Sequence, residues 1–310
     1  MKKRACRNRT ITVDESEKAH LLAQTMSLTS LMSYGSLRNR IIHQDFFACH
    51  TFLPDDFVDL MIVDPPYNLN KRFGVSAFKK RVAADYVEFI DSWLKLTRRM
   101  LKNTASIYIC SDWSSSGEIQ QVISGYFIIR NRITWEREKG RGARGNWKSC
   151  SEDIWYCTVS DDYFFDSEAV KLKKKIMAPY RDEQGKPKDW LDAEEGKYRL
   201  TAASNIWTDI SVPFWSMPEN TDHPTQKPEK LMAKIILASS RSGDFIFDPF
   251  AGSGSACVTA AKLGRLFLGI EKEEEYCLLA MKRLAMAEQN KAIQGYSEGC
   301  FRERNSLRPR

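Results

Sequence analysis

Two apolar runs in this chain end in the same dipeptide, Asp-Pro: DLMIVDPPYN at 59–68 and DFIFDPFAGSGS at 244–255. A short run of Val, Ile, Leu, Met and Phe without helical spacing reads as a strand buried on both faces, and proline at its end removes a donor and stops strand pairing. Strands buried on both faces belong to parallel sheets covered by helices, so the two runs restrict the chain to the α/β class. The remaining sequence obeys that restriction. Candidate strands fall at 40–43, 57–63, 105–110, 126–135, 153–159, 244–248 and 266–271, which makes a seven-stranded sheet. Apolar residues recur at helical spacing in VEFIDSWLKLTRRMLK, KPEKLMAKIILASS and EEEYCLLAMKRLAMAEQ, segments suited to cover it.

The alternation stops between 161 and 222, a polar stretch interrupted by proline with no run long enough for a buried strand. The chain therefore divides into an N-terminal arm (1–35), a first half of the sheet domain (36–160), an insertion (161–222), a second half (223–289) and a C-terminal tail (290–310). A long irregular segment inside a compact enzyme usually serves function.

Lys and Arg outnumber Asp and Glu 47 to 40, a net charge of +7, and the basic residues cluster. Runs occur at Lys2, Lys3, Arg4, Arg7 and Arg9, at Lys71, Arg72, Lys79, Lys80 and Arg81, and at Lys171, Lys173, Lys174 and Lys175. They suit either a surface that contacts phosphates or solvated faces. The eight cysteines form no CxxC pair, so neither a metal site nor a disulfide scaffold is indicated, and a reducing cytoplasm fits. No run approaches the roughly 20 apolar residues that a membrane span needs, and MKKRACRNR is followed by no apolar signal segment.

The first Asp-Pro block places Asp64, Pro65, Pro66 and Tyr67 at the carboxyl edge of the sheet, where open α/β sheets bind ligands. Consecutive prolines stiffen the backbone and leave carbonyl oxygens with a fixed direction. The amino group of an aromatic base is a poor nucleophile because its lone pair is delocalised into the ring. A carboxylate and a carbonyl accepting its two hydrogens would favour the pyramidal form that attacks and would stabilise the developing positive charge. Asp64 and the Pro65 carbonyl fit those roles, and Tyr67 offers a flat face for stacking. Taken alone, the tetrapeptide could also be a strand-ending turn, the weaker of the two readings.

The second block runs from a strand through Asp248 and the Gly252 and Gly254 turn into an Ala-rich helix, with Glu271 ending the next strand. An acid there can accept hydrogen bonds from both hydroxyls of a ribose, which implies a nucleoside cofactor. A dinucleotide reading fails because position 257 is Cys where the third glycine belongs, and because Asp248 would repel a pyrophosphate while suiting a cationic ligand.

Together the blocks DPPY and DPFAGSGS, with HPTQKP at 223–228 and the IIHQD lead-in at 41–45, resemble the beta class of DNA amino-methyltransferases, over roughly residues 40–285. The resemblance implies a circularly permuted, Rossmann-like sheet that binds S-adenosylmethionine, with a target-recognition region inserted between its catalytic and cofactor-binding halves. It implies catalysis by Asp64, Pro65, Pro66 and Tyr67. It places Asp45 near the cofactor's adenine, Glu271 on its ribose, and Asp64, His223, Thr225, Lys227, Asp248, Phe250, Gly252, Ser253 and Gly254 around its methionine end. Trp135 is expected to line a pocket for a flipped base. After GSG the family commonly has two threonines, and this chain has Ser255 and Ala256, so a hydroxyl survives at the first place only.

The loop KGRGARGNW at 139–147 could embrace a DNA backbone or be a surface connection, and Lys71, Arg72, Arg141, Arg144 and Trp147 join Trp135 as expected DNA-binding residues. Trp190, Trp207 and Trp215 are expected mostly to form a small core. The implied reaction is site-specific methylation of double-stranded DNA at adenine N6, since Asp heads the tetrapeptide. Cytosine N4, RNA, or a DNA-binding protein without activity are the alternatives. The resemblance also allows a homodimer and a cognate restriction endonuclease that does not associate stably, in a cytoplasmic protein with no membrane contact.

Overall fold

The computed structural model describes residues 5–73, 76–137, 145–176, 180–186, 188–193 and 196–304. The chain enters through helix α1 (Glu15–Ala23), strand β1 (Arg40–His43), a single turn α2 (Phe46–Cys49) and β2 (Val58–Val63). A small hairpin of β3 (Lys71–Phe73) and β4 (Ser76–Phe78) precedes α3 (Ala83–Arg98), β5 (Leu101–Asp112), α4 (Ser116–Ile123), β6 (Ile128–Glu136) and β7 (Ser151–Thr158). Then come β8 (Leu172–Lys175), β9 (Leu191–Ala193), β10 (Gly196–Thr201) and β11 (Ile206–Trp207). The last part holds α5 (Glu229–Ser239), β12 (Phe245–Asp248), α6 (Ser255–Lys262), β13 (Leu266–Glu271), α7 (Glu274–Gln289), β14 (Tyr296–Ser297) and β15 (Cys300–Arg302).

The seven expected strands are all present, and β11 makes an eighth, in the order β1-β13-β12-β2-β5-β7-β6-β11. Neighbours run parallel except β7, which is antiparallel to both β5 and β6. Side chains alternate between the two faces, as a period of two demands. Met61 and Val63 of β2 and Phe245 and Phe247 of β12 join one core with Tyr86, Ile90 and Trp93 of α3. Leu60, Ile62 and Ile246 join the other, with Leu231 and Ile235 of α5, Ala256 and Ala260 of α6, and Ala280 of α7. Burial on both sides explains why these strands read as continuous apolar runs.

The order of connections positions the site. From β2 the chain passes through α3 to β5 on one side, and from the adjacent β12 it passes through α6 to β13 on the other. Where neighbouring strands send their connections in opposite directions, a crevice opens at their carboxyl ends. Asp64 follows β2 and Asp248 ends β12, so both Asp-Pro blocks meet at this switch point.

The stretch 161–222, expected to be irregular, and the expected peripheral tail together form a second sheet of five strands, in the order β14-β15-β8-β10-β9. The C-terminal strand β15 pairs parallel with β8, Phe301 opposite Leu172. Phe301 is fully buried in a cluster with Val170, Leu172, Ala233 and Ala238. These strands hide in the sequence because they are short and only one face is covered. The N-terminal arm is likewise held down, with Ile11 packing on Tyr276 and Leu279 of α7 and Lys282 pairing with Glu17 at 2.7 Å.

Candidate active site

A cavity of about 330 Å³ lies at the switch point. Asp64, Pro65, Pro66 and Tyr67 line one wall, Asp248, Phe250, Gly252 and Ser253 the next, and Asp45, His223, Thr225, Lys227 and Glu271 the remainder. The chain thus brings together every catalytic and cofactor residue expected from the sequence except Gly254. That glycine has a left-handed φ of 76° as the N-cap of α6, and a Cβ on it would stand 2.8 Å from Ala280 Cβ. Its bareness serves the close packing of α6 on α7, one layer behind the cavity.

The Pro-Pro turn is locked from α3, where the Tyr86 hydroxyl donates to the Pro66 carbonyl at 3.2 Å. Asn68, next after the tetrapeptide, accepts from the Arg81 N–H at 2.7 Å and donates to the Arg81 carbonyl at 3.0 Å. One side chain thereby clips the base of the excursion that carries the β3–β4 hairpin beside the cavity.

Asp64 meets Lys227, whose Nζ donates to Asp64 Oδ2 at 2.6 Å and to the Tyr67 hydroxyl at 3.0 Å. The Tyr67 hydroxyl in turn donates to Glu152 Oε2 at 3.2 Å, and that oxygen lies 3.3 Å from Lys227 Nζ. Glu152 Oε1 accepts from Arg137 at 2.5 Å. Asp64 Oδ1 is enclosed and receives no hydrogen bond from any described residue. Burial by itself would lower the Lys227 pKa, but Asp64 and Glu152 outweigh it and hold the ammonium well above its ordinary range. Burial, with Asp64 and Glu152 adding, drives the Tyr67 phenol far up, so it stays protonated and able to donate.

At the second wall, Gly252 adopts φ +53°, and a Cβ there would come within 2.9 Å of His223 Nε2. The His223 ring sits edge-on to Tyr276 at 4.3 Å between centroids, which fixes it over the turn. Glu271 Oε2 accepts from the Gly252 N–H at 2.8 Å and Oε1 from the Glu273 N–H at 2.7 Å. A carboxylate has about four acceptor positions, so both oxygens keep capacity for a ligand. Asp248 Oδ1 takes the Phe250 N–H at 3.1 Å, yet burial, with Asp64 and Glu271 adding, pushes its carboxyl up to about 8. Asp45 caps α2 by accepting from the Phe47 N–H at 2.8 Å.

The loop at 223–228 is built to present Lys227. Gln226 is buried, its Oε1 accepting from the Thr221 N–H at 2.8 Å and its amide donating to the Glu219 carbonyl at 2.6 Å. The Ser255 hydroxyl, the one retained after GSG, donates to the Lys227 carbonyl at 2.8 Å and so joins the glycine turn to this loop.

Other expectations fare differently. Trp135, placed by sequence beside a flipped base, is 1% exposed and donates its indole N–H to the Ile210 carbonyl at 2.9 Å. It does not line the cavity, and it stands opposite Glu152 in the β6–β7 register, within the core against which Tyr67 packs. Trp190 and Trp207 are buried as expected, while Trp215 is half exposed. Trp147 is 95% exposed. Lys71 and Arg72 fall in β3, their side chains outside the described part, and Arg141 and Arg144 lie outside the described residues. Among the described residues, no group of His, Cys, Asp and Glu could hold a metal ion, and no helix is long and apolar enough to cross a membrane.

Sequence reasoning missed Glu152. It precedes the expected strand at 153–159, and its relevance depends on β7 running antiparallel, which brings the start of that strand to the edge where β2 and β5 end.

A family model described as "DNA methylase" (N6_N4_Mtase) matches residues 58–282. The chain is 32% identical over 264 residues to DNA adenine methyltransferase YhdJ of Escherichia coli (strain K12), covering 82% of this chain and 85% of that protein. It is 31% identical over 240 residues to the type II methyltransferase M.HpaI of Haemophilus parainfluenzae, covering 75% and 69%. Among solved structures, the cytosine-N4-specific PvuII DNA methyltransferase superposes with a TM-score of 0.59 at 13% identity, covering 81% of this chain and 92% of that one. TTHA0409 of Thermus thermophilus, a putative DNA modification methylase complexed with S-adenosyl-L-methionine, superposes at 0.56 and 20% identity, covering 87% and 99%.

Proposed function

The chain belongs to the DNA methylase family of N6 and N4 amino-methyltransferases, and we propose that it methylates the N6 amino group of adenine in double-stranded DNA, using S-adenosylmethionine. The observation that carries the reading is Asp64, whose Oδ2 is held by Lys227 while Oδ1 has no donor among the described residues. It is an oriented carboxylate with one acceptor left over, next to a stiff Pro65 carbonyl and the ring of Tyr67.

The residues at the second wall fit the cofactor. The cavity lies in the range of about 300–1,000 Å³ typical of small-molecule sites. Gly252 leaves the turn without a side chain, and Glu271 retains lone pairs at the end of β13. Asp248 is a buried acid held by the Phe250 N–H rather than by a salt bridge to any described residue, which suits it to a positive ligand. S-adenosylmethionine, when bound, supplies a methyl group activated by its sulfonium. The protein's part is then positioning. Asp64 Oδ1 and the Pro65 carbonyl accept the two amino hydrogens, drawing the nitrogen toward the geometry in which its lone pair is free, and Asp64 balances the positive charge that grows there. Tyr67 stacks on the base after it leaves the duplex. Lys227 holds Asp64 in its orientation without itself touching the reacting atoms.

Adenine is favoured by the aspartate at the head of the tetrapeptide and by the name of the 32% identical relative. The test is to incubate the protein with unmethylated plasmid and S-adenosylmethionine and to analyse the nucleosides by mass spectrometry. N6-methyladenine is expected, with Asp64→Asn losing at least about a hundredfold in kcat while still binding cofactor. N4-methylcytosine would overturn the base, and no methylated base would overturn the substrate.

A further inference from the structure

Resting on that reading, we propose that Glu152 is a positioning residue for the methyl transfer: its carboxylate draws the Lys227 ammonium by charge and anchors the Tyr67 hydroxyl, and so keeps Lys227 from turning onto Asp64 Oδ1. An ammonium has three N–H donors. Lys227 uses two of them, donating to Asp64 Oδ2 at 2.6 Å and to the Tyr67 hydroxyl at 3.0 Å, while Glu152 Oε2 lies 3.3 Å away as an ion-pair partner. Held between the two carboxylates, Lys227 makes no hydrogen bond to Asp64 Oδ1, which is the donor-free atom observed. Without the charge of Glu152, only Asp64 and Tyr67 would hold the ammonium, and its third N–H could turn to Oδ1, where the amino group of a base would have to compete with a buried cation.

Glu152 is itself immobilised. Its side chain is 5% exposed, and Arg137 holds its second oxygen at 2.5 Å. The four side chains form a chain of alternating charge, Asp64, Lys227, Glu152, Arg137, in which each cation lies beside a carboxylate. The same Glu152 oxygen accepts from the Tyr67 hydroxyl, so the ring on which the base would stack is fixed by the residue that governs Lys227. Glu152 reaches the cavity only through these two neighbours and does not line it.

The experiment compares Glu152→Leu, which has no acceptor, with Glu152→Gln, whose single amide oxygen can serve either Lys227 or Arg137 but not both. With unmethylated DNA, kcat is expected to fall about 10- to 100-fold in the Leu variant and less in the Gln variant, the range typical of residues that orient a site's direct ligands. Binding of S-adenosylmethionine, measured by calorimetry, should stay within a few-fold of wild type. A crystal structure of the Leu variant without ligand should show Lys227 Nζ within hydrogen-bond distance of Asp64 Oδ1, a result independent of turnover. If the Leu variant does not fold, the same structure and kinetics are read from the Gln variant. Full activity in either folded variant, or a Lys227 that leaves Oδ1 without a donor, overturns the proposal. A wild-type protein that methylates no DNA overturns the functional reading instead, and the structural result still decides whether Glu152 controls Lys227.

Discussion

Asp248 shows what a functional site demands of a single residue. Burial, joined by Asp64 and Glu271, pushes its carboxyl up to about 8, whereas in an unfolded chain it titrates at about 3.9. The native state therefore binds the proton more tightly than the unfolded one, so the stability present at acid pH is lost as pH climbs from about 4 through the native value. Asparagine at this position does not titrate. Asp248→Asn should melt above wild type at about pH 8, with the gap closing toward about pH 4, and thermal unfolding across that range checks it. A gap independent of pH would show that the Asp248 carboxyl carries no such penalty. The residues legible in the sequence, Asp64 to Tyr67, Asp248 to Ser253 and Glu271, are those that end a buried strand, because a strand's direction aims its last residues at one edge. Glu152 begins a strand, and only the antiparallel course of β7 carries it to that edge. The setting of Trp135 is not legible, because its distance from the tetrapeptide says nothing about how deeply its side chain packs; it lies in the core shared with Tyr108 and Leu231, with Tyr67 at the margin.

At the level of elements, the strands legible in the sequence are those buried on both faces, since continuous Val, Ile and Phe leave no other interpretation. The strands that stay hidden there, β8, β9, β10, β14 and β15, run from two to six residues and mix Lys, Arg and Ser with single apolar positions. Their pairing, above all of β15 with β8, brings together segments about 130 residues apart, 172 and 301, which no local pattern announces. Phe301 is the joint, packed against Ala233 and Ala238 of α5 as well as Leu172. Phe301→Ala is expected to lower unfolding free energy by about 3–5 kcal/mol, the usual result of emptying a buried aromatic site. Denaturant titration measures it, and a loss below about 1 kcal/mol would mean that β15 is not held by this side chain. The clip that Asn68 makes to Arg81 acts on the same scale, setting where the β3–β4 excursion leaves and rejoins the scaffold.

Across the whole molecule, the larger sheet supplies the crevice, and the smaller one carries exposed positive charge. Lys174 and Lys175 are exposed on β8 of the second sheet, and the chain carries a net charge of +7. If that sheet meets the phosphate backbone, DNA affinity should fall steeply with salt, and replacing both lysines by alanine should lower the slope of log affinity against log salt by about 0.9 for each phosphate no longer neutralised. An unchanged slope would place the DNA elsewhere on the molecule. The second sheet also bears on how the molecule is made. Its strands β8 to β10 leave the ribosome long before β15, while every strand of the larger sheet has been synthesised by residue 271. Domains fold as their residues emerge. A nascent chain can therefore hold every strand of the larger sheet while the neighbouring sheet still waits for its parallel partner.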